Sequence, residues 1–189
     1  MNFNDIKLIR SKRKSIALEI RSDLQIILRV PLKMSQADIK KFLADKSGWI
    51  EKNVAAMKEK NERKAAELDV HKLTEEELQG LVEEAKRVIP SRVAYYAGLL
   101  HVTYGRITIR MQKTRWGSCS AKGNLNFNCL LLCMPQEILD YVIVHELCHR
   151  KEMNHSVRFW AEVEKILPDY REKRRWLKEN GGVLVRELF

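Results

Sequence analysis

The chain has 189 residues, 45% of them hydrophobic, which is enough to bury a core of its own. Its apolar runs are too short to cross a membrane, and its start lacks the basic and apolar regions of a signal peptide. We therefore expect a cytoplasmic protein without a membrane span. The formal net charge of +10 is concentrated in residues 1–64. A solvated basic face explains this charge, and binding of nucleic acid through that surface stays open.

The first third of the chain predicts a small antiparallel β-meander followed by helices. Residues 6–9, 15–20 and 24–30 alternate or run apolar at strand length and are joined by charged turns. Ser35 suits the N-cap of a helix over residues 36–43, and a charged, helix-forming stretch follows from Lys46 to Leu68. We expect these elements to form a basic N-terminal lobe, residues 1–68.

Residues 69–189 are expected to form a catalytic domain that makes one compact unit with this lobe. Thr74 followed by Glu77 is a capping box, which predicts a helix that reaches Leu100 with a kink at Pro90. Two strands then precede a further helix. These two strands cover 106–111 and 125–127, and a loop over 116–119 and a turn over 122–124 lie between them. Two helices over 156–179, broken at Pro168, come last.

The most informative segment is the helical run from His145 to His149, which reads HELCH and is followed by His155. Residues four apart share a helix face, so His145 and His149 can both direct a ring nitrogen to one metal ion. Glu146 lies beside them, where it can take a proton from a water on the metal. The spacing predicts a hydrolytic site with one Zn²⁺ ion and Glu146 as the catalytic base.

The third metal ligand is less fixed by the spacing. His155 is favoured because imidazole suits zinc and only five residues separate it from His149. Asn154 tolerates the left-handed conformation that ends helices, so we expect it to stop the helix and return His155 to the metal. A carboxylate from the next helix is the alternative, with Glu162 or Glu164 as candidates.

The four cysteines do not predict a disulfide framework. They form no CxxC pair, and without a secretory signal we expect reduced thiols. A second zinc site from Cys119, Cys129 and Cys133 is conceivable. The role of Cys119 stays open, because it follows a Trp-Gly-Ser turn that can lie near the active site. The four are Cys119, Cys129, Cys133 and Cys148.

Several motifs together resemble the YgjP-like zinc metallopeptidase domain family, which is related to the SprT/WLM zincins. The motifs are VIVHELCH at 142–149, NHS at 154–156, RWGSC at 115–119, PDY at 168–170, and IRSKRKSI at 9–16. The resemblance covers nearly the whole chain. It implies a zinc-binding hydrolase with His145, His149 and His155 as ligands and Glu146 as catalyst. It leaves the substrate open, since both peptidase and nucleotide pyrophosphatase activities are attached to relatives.

The predicted fold is α+β and zincin-like: a small antiparallel sheet packs on the HExxH helix and a backing helix. In this arrangement an edge strand can pair with an extended substrate chain. Arg115 and Tyr170 are candidate donors to the developing oxyanion, and Asn154 is a candidate for a hydrogen bond that orients a ligand. We expect a peptide or protein substrate; the oligomeric state is not determined by the sequence.

Two other functions stay open. A metal-dependent nucleoside triphosphate pyrophosphohydrolase would use Arg10, Arg13 and Arg115 to bind phosphate. A nucleic-acid-associated module would hold zinc for structural reasons only. Both use the basic residues that the peptidase interpretation leaves as a solvated face.

Overall fold

The computed structural model of the chain describes residues 6–67 and 70–188. The fold divides into two compact units. The first contains the described residues up to His71 together with Gly182–Leu188, and the second contains Lys72–Gly181. The predicted boundary at residues 68 and 69 lies outside the described residues and stays a prediction. Across the described ranges, no helix is both long and apolar enough to cross a membrane.

The first unit contains a three-stranded mixed sheet. Its strands are β1 (Ile6–Ser11), β2 (Ala17–Ile20) and β3 (Ile26–Pro31), in the order β1-β3-β2. β2 is antiparallel to β3, but β1 is parallel to it, so the predicted antiparallel meander is wrong. β3 takes the central position because it is apolar on both faces, with the adjacent residues Ile27 and Leu28 buried on opposite sides of the strand.

Two helices complete the core of the first unit. α1 (Gln36–Asp45) begins as predicted at Ser35, whose hydroxyl accepts a hydrogen bond from the Asp38 amide at 3.1 Å. α2 (Ser47–Glu67) follows directly. Their apolar residues Ile39, Leu43 and Ile50 join β3 in one hydrophobic cluster.

Helices dominate the second unit. α3 (Glu75–Leu100) begins at the predicted capping box and continues through Pro90. It packs against α4, which is joined to it by a partly buried ion pair between Arg92 and Asp140. The remaining helices are a 3₁₀ helix (Cys129–Cys133), α4 (Gln136–Cys148), α5 (Val157–Ile166) and α6 (Tyr170–Leu188), whose last residues belong to the first unit.

The second unit also contains a small sheet in the order β4-β6-β5. Its strands are β4 (Ile107–Arg110), β5 (Gly117–Cys119) and β6 (Leu125–Asn128). The sheet is mixed, because β4 is parallel to β6 and β5 is antiparallel to it; the expectation of a purely antiparallel sheet is wrong. Residues 117–119 form a strand where a loop was predicted, since Gly and Ser favour strands only weakly. The broader prediction of an α+β fold is confirmed, with six α-helices in the described ranges.

Candidate metal centre

The structure brings His145, His149 and His155 together. The possible ligand atoms of the three side chains all lie within 4.8 Å of one another. The Nε2 atoms of His145 and His155 are 2.9 Å apart. Two nitrogens on a tetrahedral zinc ion, each at about 2.0–2.1 Å from it, are separated by about 3.3 Å. The spacing therefore fits a metal of this size after a shift of a few tenths of an ångström.

His155 returns to the site through a tight turn after α4. The predicted left-handed stop at Asn154 is wrong, since the described non-glycine residues with positive φ are Leu24 and His101. α4 already ends at Cys148, whose carbonyl accepts hydrogen bonds from the amides of residues 151 and 152, both at 3.0 Å. The Asn154 carbonyl accepts a hydrogen bond from the Ser156 amide at 2.8 Å. Backbone bonds, with no unusual φ, thus reverse the chain.

The hydrogen bonding of His149 defines its tautomer. Its Nδ1 lies 3.1 Å from the carbonyl oxygen of Glu152, which can only accept, so Nδ1 carries the proton. The Nε2 atom therefore offers a lone pair. Burial lowers the pKa of His149, and burial followed by the neighbouring imidazoles lowers the pKa of His145 to about 3. Both rings are neutral at pH 7, which is the form that binds metals.

Phe159 forms an apolar floor under the three imidazoles. Its ring centre lies 4.8 Å from His145, 4.6 Å from His149 and 4.8 Å from His155, and the side chain is fully buried. Ser156 fixes this position, because its hydroxyl caps α5 by accepting from the Phe159 amide at 3.3 Å. The NHS motif did not indicate this role, although Phe159 follows its last residue by three positions.

Trp160 supports the exposed side of the cluster. Its ring stacks on His155 with the centres 5.7 Å apart and the planes inclined by 24°. His155 itself is exposed, so the cluster is open to solvent on that side. The Nδ1 atom of His145 is buried and has no hydrogen-bond partner among the described atoms. Packing against Phe159, Trp160 and the buried Tyr141 therefore orients the His145 ring.

Glu146 is buried against β5. A Cβ atom added to Gly117 would lie 2.7 Å from its Cγ and 2.8 Å from its Oε1, so only glycine allows this approach. Burial raises the pKa of Glu146 to about 8, while the backbone amide of Cys119 and the charge of Arg115 act in the opposite direction. The RWGSC motif thus lies beside the candidate base, and Gly117 is a site residue that the sequence analysis did not recognise.

The other predicted residues lie around this cluster with different partners. Tyr170 is buried and stacks on Trp160 at 5.2 Å. The alternative ligands Glu162 and Glu164 pair with Lys151 and Arg171, at 2.7 and 2.8 Å.

Within the described residues, the histidine triad is the one group of three or more side chains that could hold a metal ion together. The four cysteines are free, and Cys119 is partly buried. A second zinc site built from cysteines therefore finds no counterpart in the described part of the chain.

The chain is similar to known metallopeptidases. The YgjP-like metallopeptidase domain matches residues 14–80 and 69–180. No curated protein matches the chain. Abylysin from Pyrococcus abyssi, a metallopeptidase zymogen, is 26% identical with a TM-score of 0.45, covering 54% of this chain and 100% of its own. Jannalysin from Methanocaldococcus jannaschii, also a metallopeptidase zymogen, is 25% identical with a TM-score of 0.43, covering 47% and 92% respectively. Because the family match spans most of the sequence, the chain belongs to the YgjP-like metallopeptidase domain family.

Proposed function

We propose that this protein is a zinc-dependent peptidase in which His145, His149 and His155 hold one Zn²⁺ ion and Glu146 is the catalytic base. Membership of a metallopeptidase family supports a hydrolase that acts on peptides or proteins. The observation that carries the finer assignment is the convergence of three imidazoles within 4.8 Å, beside a buried carboxyl group. Imidazole nitrogens are typical zinc ligands, and three of them leave a coordination position open.

The residues of the chain divide the catalytic work. A bound zinc ion would lower the pKa of a water molecule towards about 7 and polarise the substrate carbonyl. The positive charge of a bound zinc ion would favour the ionised form of Glu146, which would then accept the proton of the attacking water and return it to the leaving nitrogen. Its burial against Gly117 keeps the carboxyl group in one position. Arg115 and Tyr170 are the candidate donors to the oxyanion, and Arg115 is the exposed one of the two.

The substrate backbone has an obvious partner in β5. This strand lies at the edge of its sheet, so one side of its backbone is not paired with another strand of that sheet. An extended peptide can add to such an edge by main-chain hydrogen bonds. Glu146 contacts the same strand at Gly117, which supports an arrangement in which the scissile bond of a paired peptide lies near the base. For Asn154, we propose that it helps orient the ligand His155 through the turn that its carbonyl holds.

The test is hydrolysis of reduced, unfolded casein by the zinc-loaded protein, compared with the Glu146→Gln variant. We expect the variant to keep its zinc and to lose about 10²–10⁴-fold in rate. Glu164→Gln is the matched control, because this carboxylate pairs with Arg171 and should affect neither zinc nor activity.

Three outcomes would contradict the proposal. Full activity of Glu146→Gln with zinc bound removes the assigned base. Release of pyrophosphate from nucleoside triphosphates without peptide cleavage supports the pyrophosphohydrolase alternative. Bound zinc with neither activity supports a structural ion, and salt-sensitive DNA binding would then favour the nucleic-acid module.

A further inference from the structure

Arg174 lies beside the histidine cluster, on a platform formed by Trp160. Its guanidinium carbon is 4.4 Å from the centre of the Trp160 ring. The same ring stacks on His155 with the centres 5.7 Å apart. Together these distances place the guanidinium no more than about 10 Å from the centre of the His155 ring. That is about the span of three residues of an extended, bound peptide, since each extended residue spans about 3.3–3.6 Å.

Two nearby basic residues of α6 are engaged in ion pairs, but Arg174 is not. Arg171 pairs with Glu164 at 2.8 Å, and the buried Lys173 pairs with Asp169. Among the described residues, no carboxylate lies within salt-bridge distance of Arg174, which is exposed. A guanidinium that stacks by its flat face keeps the N–H groups on its edge available. The stacking thus holds Arg174 in place and leaves its N–H groups able to donate hydrogen bonds.

The charges around the cluster are positive on two sides. Arg174 is exposed on one side, within about 10 Å of the centre of the His155 ring. Arg115 is exposed on another side, two residues before Gly117, which contacts Glu146. Two guanidinium groups therefore lie near the site, one on the side of His155 and one on the side of Glu146. A cleft of this kind attracts anionic substrates.

We infer that Arg174, held on Trp160, is a specificity-determining residue that binds a carboxylate of the substrate peptide. This rests on the proposed peptidase function and adds a substrate class to it. The fork geometry of arginine favours a two-point contact with a carboxylate. The carboxylate can come from an Asp or Glu side chain near the scissile bond or from the C-terminus of the peptide.

The test uses peptides that carry or lack these two groups. A casein sequence cleaved by the wild-type, zinc-loaded protein is synthesised in four versions, with Glu or Gln beside the scissile bond and with a free or amidated C-terminus. We expect the wild type to prefer one carboxylate-bearing version, and the comparison identifies the source. Arg174→Gln should lower kcat/KM for that version about 10-fold, mainly through KM, and leave the neutral version unchanged.

The controls separate a contact with substrate from a structural effect. Arg175→Gln removes an exposed charge from the next position of α6 and should leave the preference unchanged, whereas Arg174→Lys should restore part of it. Binding of the same peptides to zinc-loaded Glu146→Gln, with and without Arg174→Gln, measures the preference independently of turnover. The zinc affinity should be equal in all of these proteins except for small electrostatic shifts.

The inference fails if the wild type cleaves and binds all four peptides equally, or if Arg175→Gln reduces the preference as much as Arg174→Gln. In either case the peptidase proposal stands. If the wild type with zinc bound cleaves no peptide at all, the peptidase proposal itself fails and the inference falls with it.

Discussion

Replacement of Gly117 by alanine tests whether the position of Glu146 is set by β5. The added Cβ would lie 2.7 Å from Cγ, 2.8 Å from Oε1 and 3.0 Å from Cδ of Glu146. Carbon atoms that are not bonded pack at about 3.5–4.0 Å, so the carboxyl group must retreat by about 1 Å. A displacement of about 1 Å at a catalytic group costs about 100-fold in rate, which corresponds to about 2.7 kcal/mol in the activation free energy.

The assay is kcat/KM on a casein peptide, with zinc content and thermal unfolding measured on the same samples. We expect the loss to appear in kcat while the zinc content stays unchanged, because Gly117 approaches the base and is not itself a candidate ligand. Gly98→Ala is the matched control: no atom lies within 4 Å of its added Cβ, and it should be as active as the wild type. Full activity of Gly117→Ala would refute the argument, as would an equal loss in the control.

Three further predictions concern packing and the metal. Phe159→Ala should cost about 3–5 kcal/mol in the free energy of unfolding, measured in urea. It should also weaken zinc binding, because the Phe159 ring contacts all three imidazoles. A normal zinc affinity of this variant would show that the ring does not support the imidazoles. Asp140→Ala should cost about 2–3 kcal/mol, less than a fully buried pair, because the Arg92 side chain is 27% exposed. Arg87→Ala removes an exposed pair and should have a much smaller effect on the free energy of unfolding; equal losses would contradict the difference in burial. Zinc at 100 times its dissociation constant for the wild type should stabilise the wild type by about 2.7 kcal/mol. The same zinc concentration should stabilise His155→Ala much less. Equal stabilisation would show that His155 is not a ligand.

The parts of the fold that the sequence predicts correctly are those determined by local contacts. The capping box of Thr74 and Glu77 depends on residues three apart, and both of its hydrogen bonds are present. The proximity of His145 and His149 follows from the helical repeat in the same way. The family resemblance rests on such short motifs and is confirmed by the match over residues 14–80 and 69–180.

The errors concern contacts between distant residues. Consecutive strands with short connections often pair in order, which predicts a meander, but β3 is too apolar for the edge of its sheet and takes the centre. The contact between Gly117 and Glu146 joins residues 29 positions apart. Only the sheet and the packing of α4 bring them together, so no local pattern predicts it.

The central claim is that three imidazole nitrogens converge on one metal ion. Anomalous scattering at the zinc edge, recorded from crystals of the protein purified without chelators, tests it most directly. We expect one peak at about 2.0–2.1 Å from the Nε2 atoms of His145, His149 and His155. A peak coordinated by Glu162 or Glu164 in place of His155, or no peak at the histidines in fully zinc-loaded protein, would contradict the account.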